Sequence, residues 1–395
     1  MSAPGEQATY QRTGFTRAAF GALLAFGVLN AVLGPVLPYL RAVEDISYLV
    51  GALHQVAFSV GGGLAGLLAA RLSRVVARGW TIRIGLAVAA LAGLLLGYGG
   101  HVSVTLCAAF LVSLFGTTAM IALWAALADE HGPRRTVAMT EGEVWVSIGS
   151  IIAPALVAGA AASRLGWSFS FVLAGLVVTV AVAVSLAVPV PAARGEAGGD
   201  GGDGRSRAGR SRAGRSRRVP ATLVVVVAVV ALEFTVSFWL ASYLDDAVGL
   251  PRGLAVSMVV GLYVANLAGR VVVSRLARRS PATRLLAGLL GVATAGLPVL
   301  LLAGDTVVAA VGIALVGAGI GGMFPLASSR HVGAGSRGSD HALGQVLFAA
   351  AVGQVLGPLL VGVLAQGLGL RIGLCVLPAL VLVAALALRA DRSGP

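Results

Sequence analysis

Residues 221–244, ATLVVVVAVVALEFTVSFWLASYL, form an apolar run with one charged side chain, Glu233. A helix of about 20 apolar residues crosses the hydrocarbon core of a bilayer, and a continuous helix satisfies all of its own backbone hydrogen bonds there. The run therefore predicts a membrane-spanning helix that carries a carboxyl group close to the middle of the membrane.

The rest of the chain repeats this pattern. Hydrophobic residues make up 57% of the 395 residues and charged residues 11%, with a mean hydropathy of +0.92, which leaves too little polar surface for a soluble domain. The predicted spans are 15–40, 46–70, 81–100, 103–127, 140–163, 167–189, 221–244, 253–277, 284–303, 306–327, 342–366 and 370–388. The first run is too long for a cleavable signal peptide. We therefore predict an all-α membrane protein with twelve transmembrane helices.

Arginine placement predicts the orientation. All 29 basic residues are arginine, and a topology with both termini inside leaves only Arg41, Arg164, Arg252 and Arg371 outside. Positively charged residues in short loops stay on the cytoplasmic side of a membrane. The count therefore predicts a multi-pass protein of the cytoplasmic (inner) membrane with both termini in the cytoplasm.

Residues 194–219 form a linker rich in Arg, Gly and Ser that divides the chain into bundles of six helices, at 1–193 and 220–395. A segment of this composition builds no core, so we expect a disordered cytoplasmic tether. Each Arg near an anionic lipid surface contributes about 1 kcal/mol of attraction. The net charge of +13 would also suit nucleic acid, but attraction to anionic lipid explains it better, and we expect no nucleic-acid partner.

The two halves repeat weakly. Aligning Pro154 with Pro358 also aligns Gly149 with Gly353 and replaces Glu141 by Gln345. Such a repeat is typical of a transporter made of two six-helix bundles related by a pseudo-two-fold axis. The two prolines are also expected to bend their helices.

The turn after the second span reads Gly66-Leu-Leu-Ala-Ala-Arg71-Leu-Ser-Arg74, and the equivalent turn of the second half reads Ser274-Arg-Leu-Ala-Arg-Arg279. Both resemble the G-x-L-A-D-R-x-G-R turn of the major facilitator superfamily, and the resemblance covers essentially the whole chain. It implies a monomeric secondary transporter in which Gly66, Arg71, Arg74 and Arg279 take part in gating. Both copies lack the family's acidic residue, so the resemblance does not determine the strength of gating.

A second resemblance lies in the fifth and eleventh spans. Gly149-x-x-x-Ala153-Pro154 and Gly353-x-x-x-Gly357-Pro358 look like the glycine-proline motif of the family's exporters. The resemblance gives a slight preference for export, although small residues and proline also serve ordinary helix packing in membranes.

Glu233 is the first candidate for proton coupling, because a charge in the hydrocarbon costs about 2.5–3.5 kcal/mol and usually marks a functional site. The resemblance places its helix beside a central cavity. The structural alternative is a protonated Glu that is hydrogen-bonded between helices, or a Glu that is held by an Arg. Glu141, Glu143 and His54 are further candidates. Glu141 and Glu143 point to nearly opposite sides of their helix, so one of them could reach the cavity; both could instead be solvated or pair with Arg134 and Arg135. His54 could instead bond a backbone carbonyl. The face that Glu143 shares with Ser147 and Ser150 is interpreted as a helix-packing face.

Several other polar side chains lie within spans. The candidates for lining a substrate cavity are Asn30, Gln55, Trp239, Asn266 and Gln354. Amide side chains in the middle of a span bind polar substrates or form hydrogen bonds between helices, and the sequence allows both roles here. Arg270 is either an interfacial anchor or the counter-ion of Glu233.

Enzyme chemistry is not expected. A P-loop requires lysine, which the chain lacks, and Asp245-Asp246 has no third aspartate at a spacing that would hold Mg²⁺. Cys107 and Cys375 lie in apolar spans, so we expect no disulfide, metal or cofactor. The predicted function is proton-coupled secondary transport of a small organic solute. Uptake, uniport and a non-transporting receptor remain alternatives.

Overall fold

The computed structural model describes residues 10–191, 218–277, 279–334 and 339–392. In these residues the regular structure is helical, with a short 3₁₀ turn, Gly132–Arg134, between α5 and α6. The helices are α1 Gly14–Ala31, α2 Leu33–Glu44, α3 Tyr48–Val75, α4 Arg78–Tyr98, α5 Val102–His131, α6 Arg135–Ala162, α7 Phe169–Leu186, α8 Arg218–Asp246, α9 Arg252–Leu276, α10 Ala282–Leu301, α11 Thr306–Ile320, α12 Met323–Ala334, α13 Ser339–Leu368, α14 Leu370–Gly373 and α15 Val376–Arg392.

Eleven segments of the described chain are long and apolar enough to cross a membrane. One of them, Val102–Ala162, is 61 residues long and contains both α5 and α6, so it accounts for two crossings. The helices therefore match the twelve predicted spans. Three predicted spans are interrupted: the first at Val32, the tenth at Gly321 and Gly322, and the last between α14 and α15. Hydropathy alone does not reveal such breaks.

Local signals in the sequence explain several helix starts. Thr13 Oγ1 accepts a hydrogen bond from the Thr16 amide ahead of α1, and the Ser47 hydroxyl accepts one from the Val50 amide ahead of α3. The Asp305 carboxylate accepts from two amides at the start of α11. Each cap satisfies backbone donors that have no partner within the helix.

Helix α8 begins at Arg218, so the last two residues of the predicted linker belong to this helix. Residues 192–217 lie outside the described residues. We call the side of the molecule where α7 ends and α8 begins the linker face, and the side where α2 ends and α3 begins the distal face.

The helices pack in two groups. In the first group α1 packs on α6 and α7, while α5 packs on α3 and α4. In the second, α8 packs on α13 and α15, while α11 packs on α9 and α10. The two groups meet mainly through three helix pairs: α2 with α8, α3 with α13, and α6 with α9. The central cavity lies between these pairs.

Equivalent contacts occur in both groups. A Cβ atom on Gly149 would collide with the carbonyl oxygen of Leu24, and one on Gly353 with that of Val227. Only glycine lets α6 approach α1, and α13 approach α8, this closely. The Thr16 hydroxyl lies 2.8 Å from the His131 ring, and the Thr222 hydroxyl 2.7 Å from the His331 ring. The internal repeat of the sequence is thus present in the packing.

Candidate functional site

A cavity of about 310 Å³ lies between the two groups of helices. Its lining is mixed, with polar side chains from both groups and several aromatic rings. The polar residues are Asn30, Gln55, Glu143, Ser147, Ser150, Glu233, Ser237, Tyr263, Asn266, Arg270 and Gln354, and the phenylalanines are Phe58, Phe234, Phe238 and Phe324. A pocket with an apolar body and a few convergent polar groups suits a small organic ligand.

Glu233 is held by two neighbours on α9. Its Oε1 atom accepts hydrogen bonds from Asn266 Nδ2 and from Arg270 Nη2, each at 3.2 Å. Asn266 and Arg270 are four residues apart, so both project from one face of α9 toward the same oxygen. Arg270 is therefore an ion-pair partner of Glu233, which compensates a charge that would be costly alone.

The face of α6 with Glu143, Ser147 and Ser150 lines the cavity, so the interpretation of this face as a packing surface was wrong. The serine hydroxyls donate to the carbonyl oxygens of Glu143 and Val146 in their own helix. Within the described residues, the Glu143 carboxylate makes no hydrogen bond or ion pair, and its side chain is exposed toward the cavity. Helical periodicity groups these residues on one face, but it does not say what that face meets.

The predicted amides line the cavity. Asn30, Gln55, Asn266 and Gln354 are all found there, and Gln55 donates to Ser59 Oγ at 3.2 Å. Their contact with a substrate stays a prediction. Trp239 is different: its side chain is fully buried, and its indole nitrogen donates to the carbonyl oxygen of Pro358 at 3.0 Å. It is not among the residues that line the cavity; its ring lies 6.0 Å from the Tyr48 ring of α3, between the two groups.

His54 lies outside the cavity. Its ring nitrogens lie 3.0 Å from the carbonyl oxygen of Val50 and 3.0 Å from Thr105 Oγ1. The side chain is buried between α3 and α5. His54 therefore occupies the hydrogen-bonded core position that was the alternative to a coupling role.

Glu141 also lies outside the cavity, two residues from Glu143 on another face of α6. Tyr10 donates to Glu141 Oε2 at 2.7 Å, and Arg12 donates to both carboxylate oxygens at 2.8 and 3.0 Å. Burial, helped by the Glu141 hydrogen bond, raises the pKa of Tyr10 to about 12, so the phenol remains a donor at neutral pH. The predicted partners Arg134 and Arg135 are not the ones found. The true partners precede Glu141 by about 130 residues, and sequence spacing gives no hint of them.

The residues of the gate-like turns lie at the linker face. Gly66 and Arg71 are exposed on the last turns of α3, and Arg279 is exposed between α9 and α10. Arg278 and the side chain of Arg74 lie outside the described part of the structure. Pro154 and Pro358 lie inside α6 and α13. Gating by the arginines and bending at the prolines stay predictions.

The distal face carries contacts that the sequence did not reveal. Arg41 Nη1 forms an ion pair with Asp246 Oδ2 at 2.6 Å, and the Tyr48 hydroxyl donates to the same oxygen at 3.1 Å. The Leu49 amide donates to Gln366 Oε1 at 3.4 Å. Among described residues, the hydrogen bonds and ion pairs that join the two groups all lie at this face. The only hint in the sequence was that Arg41 and Asp246 flank predicted spans.

These positions indicate which way the cavity faces. Glu233 lies near the middle of α8, whereas Glu143 and Arg270 lie nearer the linker-face ends of α6 and α9. The contacts around Asp246 close the distal face. The cavity thus faces the linker side of the molecule, and its distal side is closed.

Comparison with solved structures shows the same fold. A variant of the nucleoside transporter NupG superposes with a TM-score of 0.77 at 11% identity, covering 96% of this chain and 100% of that one. A D-xylose-proton symporter gives 0.74 at 12%, covering 96% and 97%. A bacterial homolog of the human lysosomal transporter Spinster, inward-facing and unoccupied, gives 0.71 at 15%, covering 98% and 94%. At these identities the likeness establishes the fold alone.

A search of curated protein sequences found no match. Residues 18–339 match the family model described as Major Facilitator Superfamily. This match covers most of the chain and agrees with the twelve crossings and with the solved structures. The chain belongs to the major facilitator superfamily.

Proposed function

We propose that this protein is a proton-coupled secondary transporter that moves a small organic solute by alternating access, with export as the direction. The observation that carries the proposal is the contact of Glu233 with Asn266 and Arg270 inside the cavity. A carboxylate near mid-span is costly unless it is paired or functional. Here a proton that binds Glu233 would remove its ion pair with Arg270, and so would change the charges that the solute meets.

Alternating access follows from the arrangement of the two groups. The cavity lies between them, and the contacts of Arg41 and Asp246 close one side. Rocking of one group against the other would break these contacts and open the distal face. The glycine-proline motifs of α6 and α13 favour export over uptake, and the arginine distribution supports a cytoplasmic linker face. We propose a monomer, with anionic lipid near the linker.

The test uses purified protein in liposomes that contain the pH-sensitive dye pyranine. Small solutes that raise the thermal stability of the protein are first identified, because a ligand bound only by the folded state stabilises it. Each is then added outside, and proton movement and counterflow of the labelled solute are measured. We expect wild-type protein to show both. Counterflow without proton movement would indicate a uniporter, and binding without counterflow a receptor.

Glu233→Gln separates coupling from transport. Gln keeps the shape and accepts the same hydrogen bonds but does not titrate. We expect counterflow to continue while solute-driven proton movement is lost. Glu141→Gln is the matched control, because Glu141 lies outside the cavity, and it should behave as wild type. Proton movement by Glu233→Gln at the wild-type rate would refute the assignment.

A further inference from the structure

The cavity holds one more carboxyl group than it holds basic side chains. Among the described residues that line it, the ionisable ones are Glu143 from α6, Glu233 from α8, and Tyr263 and Arg270 from α9. Glu233 and Arg270 form an ion pair at 3.2 Å, so their charges compensate each other. Glu143 has no such partner in the described structure, although both charges are near enough to influence it electrostatically. One carboxylate is therefore left over.

The groups beside Glu143 are acceptors. Ser147 and Ser150 lie on the same face of α6 and use their hydroxyl hydrogens within their own helix, in bonds of 2.9 and 3.1 Å to backbone oxygens. Their oxygen lone pairs remain available on the cavity side. Together with the carboxylate, they present a surface that favours a ligand with several donors. A protonated amine supplies three donors and a positive charge in one group.

The remaining lining suits the rest of such a molecule. Phe58, Phe234 and Phe324 come from three different helices and line the same cavity. Aromatic faces attract cations and also bury apolar groups. An anionic ligand would meet uncompensated Glu143, while Arg270 is already engaged. A neutral ligand would leave the Glu143 charge desolvated without a partner.

From this geometry we infer that the cavity binds an organic cation, with its ammonium group held by Glu143 and its apolar body against the aromatic side chains. The inference deepens the proposed transport function and rests on it. Glu143 is thereby a specificity-determining residue on the first group, facing the Glu233–Arg270 pair on the second.

The test measures binding to purified full-length protein by isothermal titration calorimetry. The probes are benzylamine, 2-phenylethylamine and tryptamine, each compared with the alcohol and the carboxylate of the same skeleton. We expect at least one amine to bind, and to bind at least tenfold more tightly than its alcohol and its carboxylate. If no amine binds, or if an alcohol or carboxylate binds as tightly as its amine, the inference is wrong.

Three variants locate the site. Glu143→Gln should weaken binding of the amine at least tenfold and abolish its advantage over the alcohol, whereas Glu143→Asp should keep the preference for the amine. Glu141→Gln, two residues away and bound by Arg12, should bind as wild type. Unchanged amine binding in Glu143→Gln would overturn the inference. If Glu143→Gln does not fold, loss of amine preference in the folded Glu143→Asp protein would overturn it instead.

Failure of the cation-site inference can be distinguished from failure of the transport proposal. An amine that binds through Glu143 but shows no counterflow would refute the transport proposal and leave the cation site intact. Counterflow of a neutral or acidic solute that does not depend on Glu143 would refute the cation site and leave transport intact.

Discussion

Arg41 and Asp246 join the two halves of the molecule through an ion pair of 2.6 Å at the distal face. The Arg41 guanidinium also lies 3.8 Å from the centre of the Tyr48 ring, whose hydroxyl donates to the same aspartate. Arg41 and Tyr48 share Asp246 as their acceptor, and the Arg41 guanidinium lies against the Tyr48 ring. This geometry holds the three side chains together more specifically than an isolated surface ion pair would. We regard it as the contact that holds the distal face closed.

Asp246→Asn should therefore favour opening of the distal face. The readout is the rate at which a membrane-impermeant maleimide labels a single cysteine placed at Ala52, which is buried at that face against Gly362. Cys107 and Cys375 are first replaced by serine. Loss of a partly exposed ion pair lowers the free energy that favours the closed distal face by about 1 kcal/mol. We therefore expect the cysteine to be labelled a few times faster than in the parent protein.

The control for this prediction is Asp129→Asn. Asp129 pairs with Arg78 at 2.7 Å within the first half, so its loss should leave labelling unchanged. Equal acceleration by both variants would show that general loosening, and not the Asp246 contact, determines access.

Gly149→Ala should destabilise the fold. The added Cβ would meet the backbone of α1 at Leu24, which has no flexible end that could move away. Overpacking of this kind typically costs about 1–3 kcal/mol. A lower Tm of the detergent-purified protein is the expected result. Gly159→Ala, on the same helix with open space around it, should leave the Tm within error of wild type. Equal shifts would show that helix propensity, and not the close approach, is responsible.

The topology prediction uses single cysteines at Gly204 and Asp305. With both termini and the linker cytoplasmic, as the arginine distribution predicts, an impermeant reagent added to intact cells should label only the Asp305 site. Labelling of Gly204 with protection of Asp305 would reverse the orientation.

Deletion of residues 198–215 should leave counterflow close to the wild-type rate, because a segment rich in Arg, Gly and Ser is expected from its composition to contribute no packed contacts. The same deletion should weaken association with vesicles that contain anionic lipid, since it removes arginines that such a surface attracts. A well-inserted deletion variant that no longer binds solute would show that the linker contributes to the site.

The fold was predictable from the sequence because the bilayer imposes length and polarity on each span. The Glu233–Arg270 pair was foreseen as one alternative, since both lie near the centre or inner part of adjacent spans. For Glu143 the sequence left open whether the side chain reaches the cavity. Its face of α6 carries small hydroxyl residues, which suit both helix packing and a wet cavity, and periodicity does not distinguish the two.

Trp239 and Glu141 show a second reason why the sequence did not predict the positions of some side chains. Trp239 needs a partner for one N–H group and finds it in the Pro358 carbonyl, 119 residues away. Glu141 accepts a hydrogen bond from Arg12, which lies 129 residues earlier in the chain. Hydrogen-bond partners this far apart in the chain depend on how the helices assemble, so local sequence does not predict them.

Closure of the distal face determines the side from which a blocker acts. A membrane-impermeant compound that fits the cavity would reach it in this state only from the linker face. In vesicles whose linker face points outward, such a compound would inhibit at once. In vesicles of the opposite orientation it would have to wait for the Arg41–Asp246 contact to break. Inhibitor potency would then report how often the distal side opens.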